Sequence, residues 1–257
     1  MVWVIIFLLI AIVSFVLALK SMVNFRQNPK DLSSDLGIFL IGKPENLTDE
    51  LLDSLYQIGL KKRLILSLER LFKGKKSALV VFGERSIMNQ FSQTLSLLEL
   101  EDYSLAANEE NVLIWDYSVK SGTKPNYDIN LKSVERLDLK DNEQFFWQIT
   151  LQPLGNKLDQ ILFKMYKKLL GYNASNPTQD NDKLFISNIR GVLLSDSIKK
   201  DEDRFNKIAQ QFNLVITPSP FKSSQRLDFF QTRQVLYSAK LAILINSQHI
   251  LKLINLK

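Results

Sequence analysis

Residues Val2–Leu19 read VWVIIFLLIAIVSFVLAL, eighteen positions with no charge and a single serine. Wound as an α-helix, that run is ~27 Å long, close to the hydrocarbon thickness of a bilayer. A helix apolar on every side has no face to give to water, so this segment restricts the fold more than any other. Trp3 stands at one end, where an indole favours the membrane–water interface. No Lys or Arg precedes the run, and no small-x-small cleavage site follows it, so a removable signal peptide fits poorly. The expectation is a single-pass transmembrane anchor over residues 1–20, marked by Val2, Trp3 and Leu19. The flanking charges Lys20, Arg26 and Lys30 all follow the run. By the positive-inside rule they place the N-terminus outside and the body in the cytoplasm, at an inner (cytoplasmic) membrane.

The rest of the chain has globular chemistry. Of 257 residues, 46% are hydrophobic and 23% charged, a balance that buries a core rather than staying disordered. With no cysteine there is no disulfide, thiolate nucleophile or Cys-ligated zinc. His249 is the only histidine, so a multi-histidine metal site is impossible and any Ser-His-Asp triad would have to use it. A net charge of +6 favours anionic surroundings such as lipid headgroups or nucleic acid without selecting either.

Asn24–Ser34 is polar and carries Pro29, which makes residues 21–34 a linker. Leu36–Ile41 (LGIFLI) is an apolar run closed by Gly42 and Pro44, a strand. Leu51, Leu52, Leu55 and Ile58 share one helical face, with Asn46 or Thr48 as the cap. Arg63–Leu71 reads equally as strand or helix. Ser77–Phe82 is a strand, which makes a hairpin around Gly74 if its predecessor is also extended. Ile87, Met88, Phe91, Leu95 and Leu98 give a second helix over Arg85–Glu99. A strand near Asp102–Ala106 then completes a βαββαβ order, the split βαβ arrangement.

The second half repeats these element types. Val112–Tyr117 and Leu184–Leu194 read as strands. In Phe145–Leu151, Phe145, Trp147, Ile149 and Leu151 alternate with Gln148 and Thr150, the pattern of a half-buried strand. Leu158, Ile161, Leu162, Met165 and Leu169 form one helical stripe. Phe205, Ile208, Ala209 and Phe212 form another, with Asp201, Glu202 and Asp203 in its first turn, where the helix dipole favours acids. The expected fold class is α+β: an N-terminal transmembrane helix followed by two small ferredoxin-like α/β modules, residues 35–110 and 111–220. A C-terminal extension, 221–257, ends in a short helix capped by Ser247.

Chemical motifs are absent. Lys73-Gly74-Lys75-Lys76-Ser77 mimics the end of a phosphate loop, but Glu69 stands where the upstream glycine belongs and Lys76 where Ser/Thr belongs. The acidic groups Glu99/Glu101/Asp102, Glu109/Glu110 and Asp201/Glu202/Asp203 lack the spacing of a calcium loop. No catalytic, cofactor or metal residue is expected. Lys164, Lys167 and Lys168 stand out as contacts for an anionic partner, be it lipid, nucleic acid or protein.

Taken in order, the anchor, SALVVFG (Ser77–Gly83), FFWQITLQPL (Phe145–Leu154) and KLFISNIRGVLLS (Lys183–Ser195) resemble the N-terminal, membrane-anchored region of bacterial conjugation or type IV secretion ATPases of the HerA/FtsK class. LAILINSQHILKLI (Leu241–Ile254) looks like the segment that precedes the motor in those proteins. The sequence reaches Lys257 without a Walker A, Walker B or arginine finger, so no catalytic residue carries over. The resemblance implies a non-enzymatic, membrane-anchored accessory protein that docks a motor ATPase or copies of itself. The competing expectation is an envelope-assembly scaffold unrelated to secretion.

Overall fold

The computed structural model describes residues 35–61, 66–119, 139, 142–155, 157–172, 183–195, 202–211 and 213–254. Trp3, Ile6, Phe7, Ile10, Val13 and Ser14 are described as well. The elements run β1 (Leu36–Ile41), α1 (Asp49–Lys61), β2 (Leu66–Lys73), β3 (Lys76–Glu84), α2 (Arg85–Leu95), β4 (Leu97–Leu100) and β5 (Val112–Val119). They continue with β6 (Gln144–Pro153), α3 (Lys157–Leu169), β7 (Phe185–Leu194), α4 (Glu202–Gln211), β8 (Leu214–Thr217), α5 (Ser223–Gln231), β9 (Ile243–Ile245) and α6 (Ser247–Ile254).

The strands form one nine-stranded antiparallel sheet in the order β4-β1-β3-β2-β6-β7-β5-β8, with β9 on β7. Its two halves are palindromic. Within each, the strand last in sequence lies outermost, followed inward by the first, third and second. In both halves a left-handed residue immediately precedes the edge strand, Ser96 (φ 51°) before β4 and Asn213 (φ 54°) before β8.

This corrects the expected fold class. The halves do not close as two modules, because β2 pairs β6 along its whole length, from Leu66↔Leu151 to Lys73↔Gln144. Both strands are covered on both faces, and burying eight residue pairs at the seam favours one sheet over two exposed edges. The anchor is corrected too. Among the described residues no helix is long and apolar enough to cross a membrane. That overturns the transmembrane helix, the single-pass assignment and the inner-membrane localisation that rested on them. Hydropathy counted every apolar side chain of Val2–Leu19, and a span needs about 20 residues of helix, whereas the helical residues described there are Trp3, Ile6, Phe7, Ile10, Val13 and Ser14. Trp3 is helical and 81% exposed. Val2, Leu19, Lys20, Arg26 and Lys30, like the linker 21–34, lie outside the described residues.

One face of the sheet is covered by α1, α2, α4 and α6. Leu52, Leu55, Ile87, Phe205, Ile250 and Leu253 pack there on Leu66, Leu68, Phe145, Trp147 and Ile149. Thr48 Oγ1 caps α1 by accepting from the Leu51 amide (3.4 Å), and Tyr56 crosses the seam to donate to the Leu154 carbonyl (2.8 Å). Asn246, not Ser247, caps α6 by accepting from the His249 amide (3.0 Å). Ser247 instead donates to Asp53 on α1 (2.6 Å), fixing the two helices together.

Gly191 on β7 opens room for two of these rings. A Cβ there would lie 2.8 Å from the Tyr117 hydroxyl and 3.1 Å from Phe145 Cε2, and both rings are fully buried. Gly191→Ala is therefore expected to destabilise the fold by about 1–3 kcal/mol, the usual cost of overpacking. A urea midpoint unchanged from wild type would show that the rings have space to retreat.

Candidate functional site

The opposite face carries a row of polar side chains across the middle of the sheet. Glu69 on β2 lies opposite Gln148 on β6, Gln148 opposite Arg190 on β7, and Arg190 opposite Asp116 on β5. Side chains alternate along strands, so residues in register share a face and lie within reach of one another. All four are buried, and Glu69 and Gln148 have no exposed surface.

Residues 223–242 cover this row, running as α5 and then an irregular strap. The sheet side chains bind the strap through its backbone. Arg190 Nη1 donates to the Phe229 carbonyl (3.1 Å) and to Gln148 Oε1 (2.9 Å), and its Nη2 donates to the Gln234 carbonyl (2.9 Å). Gln148 Nε2 donates to the Phe230 carbonyl and to Glu69 Oε1, both at 3.1 Å. Asn188 donates to the Leu236 carbonyl (3.1 Å) and accepts from the Leu236 amide (2.5 Å), a side-chain imitation of strand pairing.

Arg233 is the strap's own contribution. Its φ of 53° lies in the left-handed region, which turns the side chain down onto the sheet. Nε donates to Glu69 (3.2 Å), while Nη1 and Nη2 grip both oxygens of Asp102 (2.8 and 3.0 Å). The guanidinium also stacks over the Phe82 ring, 4.7 Å from its centroid. Glu69 accepts further bonds from Ser67 (2.8 Å) and from the Tyr103 hydroxyl. At the far end of the row Asp116 faces Arg190 at 3.6 Å and Arg226 of α5 at 3.4 Å. Glu69, Asp102 and Asp116 thus balance Arg190, Arg226 and Arg233.

Burial works against each of these charges. It pushes Arg190 down to about 10, with Asp116 and Glu69 opposing, so the guanidinium stays charged at neutral pH. It also opposes the Arg233 charge, but Glu69 and Asp102 outweigh it and hold that group above the ordinary arginine value. Burial and the neighbouring Glu69 raise Tyr103, which keeps its hydroxyl a donor. Each hydrogen-bonding group of Glu69, Gln148 and Arg233 is engaged with another part of this chain. The arrangement is a clamp, and it holds the C-terminal segment. Below it, β9 continues the sheet on β7 and α6 emerges on the other face, so residues 223–254 wrap from one face to the other.

The structure separates the three predicted lysines. Lys168 is exposed and Lys164 half-buried. Lys167 is buried, 7% exposed, with Nζ donating to the Ala242 carbonyl (2.6 Å). This orientation turns α3 round relative to its apolar pattern. Phe163 faces the strap residues Val235, Tyr237 and Ala242, while Ile161, Met165 and Leu169 face outward.

The clamp was not foreseen from the sequence. Its trace there is a set of polar residues inside apolar strands: Glu69 in LSLERLF, Gln148 in FFWQITL and Arg190 in FISNIRGVLL. His249 packs in α6 on the helical face, away from this row. Among the described residues no three His, Asp or Glu side chains converge as metal ligands. The clamp is sheet-backed and charge-balanced, within an α+β fold. No protein-family model matches the chain, and no curated protein matches it.

Proposed function

We propose that this chain is a non-enzymatic docking protein for a motor ATPase of the conjugation or type IV secretion kind. The observation that carries this reading is how the buried polar groups are used. Glu69, Gln148, Arg190 and Arg233 bind one another and the backbone of residues 229–236, so the ionisable centre of the molecule holds the fold together. What remains for function is outer surface, including an apolar helix face that is exposed among the described residues. The resemblance of Ser77–Gly83, Phe145–Leu154 and Lys183–Ser195 to the anchoring region of HerA/FtsK-class ATPases names the partner type. Those three segments overlap β3, β6 and β7, inner strands of the sheet.

The test is chemical cross-linking of the full-length chain in the cells that produce it, followed by mass spectrometry. Cross-links from surface lysines to an ATPase of that class support the docking role. Self-links alone, or links only to envelope-assembly proteins, replace it with the scaffold reading.

A further inference from the structure

Helix α3 buries the side that its sequence pattern leaves to water and exposes the side that pattern would bury. Ile161 (44% exposed), Met165 (44%) and Leu169 (64%) recur every four residues, which places them on one stripe along the helix. Leu170 (52%) and Tyr172 (39%) extend the apolar surface beyond its C-terminus. The helix cannot roll to hide the stripe. Phe163 is packed against Val235 and Tyr237, and Lys167 is bonded to the Ala242 carbonyl on the opposite side. Contiguous exposed side chains of this size mark a contact surface rather than ordinary surface.

The border of the stripe is charged on one side. Lys164 and Lys168 precede Met165 and Leu169 by one position each, so both project from the same edge, one turn apart. We propose that α3 docks an amphipathic helix of a different protein, whose apolar stripe is bordered along one edge by Asp or Glu. An apolar stripe meeting an apolar stripe supplies the burial, and the lysine edge selects the partner and its direction. A second copy of this chain fits less well. In a two-fold antiparallel pairing of α3 with itself each edge meets its own counterpart, so Lys164 and Lys168 would face the same lysines.

This inference rests on the docking reading above, since it names the surface that such a partner would use. Two fluorescein-labelled synthetic helices of about 15–20 residues serve as probes. They share one leucine stripe and differ only in a glutamate or a lysine edge. Fluorescence anisotropy with the full-length chain is expected to show the glutamate-edged peptide binding about tenfold tighter at low salt, with the difference shrinking as salt rises. Met165→Glu is expected to weaken that binding at least about tenfold, and Lys164→Glu with Lys168→Glu to reverse the preference between peptides. Circular dichroism checks that these exposed substitutions leave the fold intact.

Equal binding of both peptides, binding of neither, or insensitivity to the variants overturns the proposal. Self-association that Met165→Glu abolishes also overturns it and assigns the stripe to a second copy. The two readings fail separately. ATPase cross-links mapping to the β4 or β8 edge would keep the docking role and remove α3 from it. A charge-reversible peptide site without any ATPase cross-link would keep α3 and remove the motor.

Discussion

Arg233→Met is expected to destabilise the protein by about 3–5 kcal/mol, the cost of breaking a buried ion pair by deleting one partner. The substitution leaves Glu69, with no exposed surface, as a buried carboxylate without its cation, and it releases Asp102 as well. Against a total stability of roughly 5–15 kcal/mol for a domain, that loss leaves little margin. Arg233→Lys is expected to rescue only weakly, because one ammonium cannot reach Glu69 and grip both Asp102 oxygens in the plane that the guanidinium does. Glu69→Leu added to Arg233→Met is expected to recover part of the loss by removing the stranded charge. Trp115 and Trp147, both buried, report unfolding by fluorescence in urea. If Arg233→Met lowered the unfolding free energy by less than about 1 kcal/mol, the clamp would be ornamental to the fold. Asp102 adds a pH signature. Burial raises it, but the Arg233 hydrogen bonds outweigh burial and hold it below the ordinary aspartate value. Its contribution is therefore present above about pH 4 and is lost as pH falls through the depressed folded value.

The strands that were legible in the sequence are those whose residues state their own environment. LGIFLI became β1, SALVVF lies within β3, and FISNIRGVLL became β7. Arg63–Leu71, open between strand and helix, supplies β2, which begins at Leu66. The strand expected near Asp102–Ala106 lies instead at Leu97–Leu100, and Tyr103–Ala106 is a 3-10 turn. Ser96 adopts the left-handed conformation that ends α2, and a serine gives no warning of this as a glycine would. The pairing of β2 with β6 depends on two segments about 80 residues apart, and neither announces the other.

The candidate site was illegible for a related reason. Alternation in FFWQITL correctly separated two faces, but the polar face implied water, and the structure fills it with residues 229–242. That cover has no periodic pattern, because its backbone is bound by side chains rather than by a strand. The α3 stripe was visible as a stripe, and its direction was not. Periodicity identifies which residues act together, while what lies opposite them decides whether they face in or out.

Lys167 offers the measurement that fixes that direction. Burial pushes its ammonium from the ordinary 10.5 down to about 8. Below about pH 8 the folded chain carries a charge that burial disfavours, and the penalty is present in full. Between about 8 and 10.5 the unfolded chain still binds this proton while the folded chain has released it, so stability rises with pH. At 1.36 kcal/mol per pKa unit, the gain across that window is about 3 kcal/mol. Lys167→Met removes both the penalty and the bond to the Ala242 carbonyl, a neutral loss of about 1 kcal/mol. The variant is therefore expected to be about 2 kcal/mol more stable than wild type at pH 7, and the advantage to reverse by pH 10. Other groups titrating in that range act on both proteins and cancel in the difference. Urea midpoints of the pair at pH 7 and pH 10 decide the matter. Parallel pH curves would mean that Lys167 is solvated, and a helix turned to solvate Lys167 would turn Ile161, Met165 and Leu169 inward. The same result would withdraw the exposed stripe on which the docking of an acidic-edged helix depends.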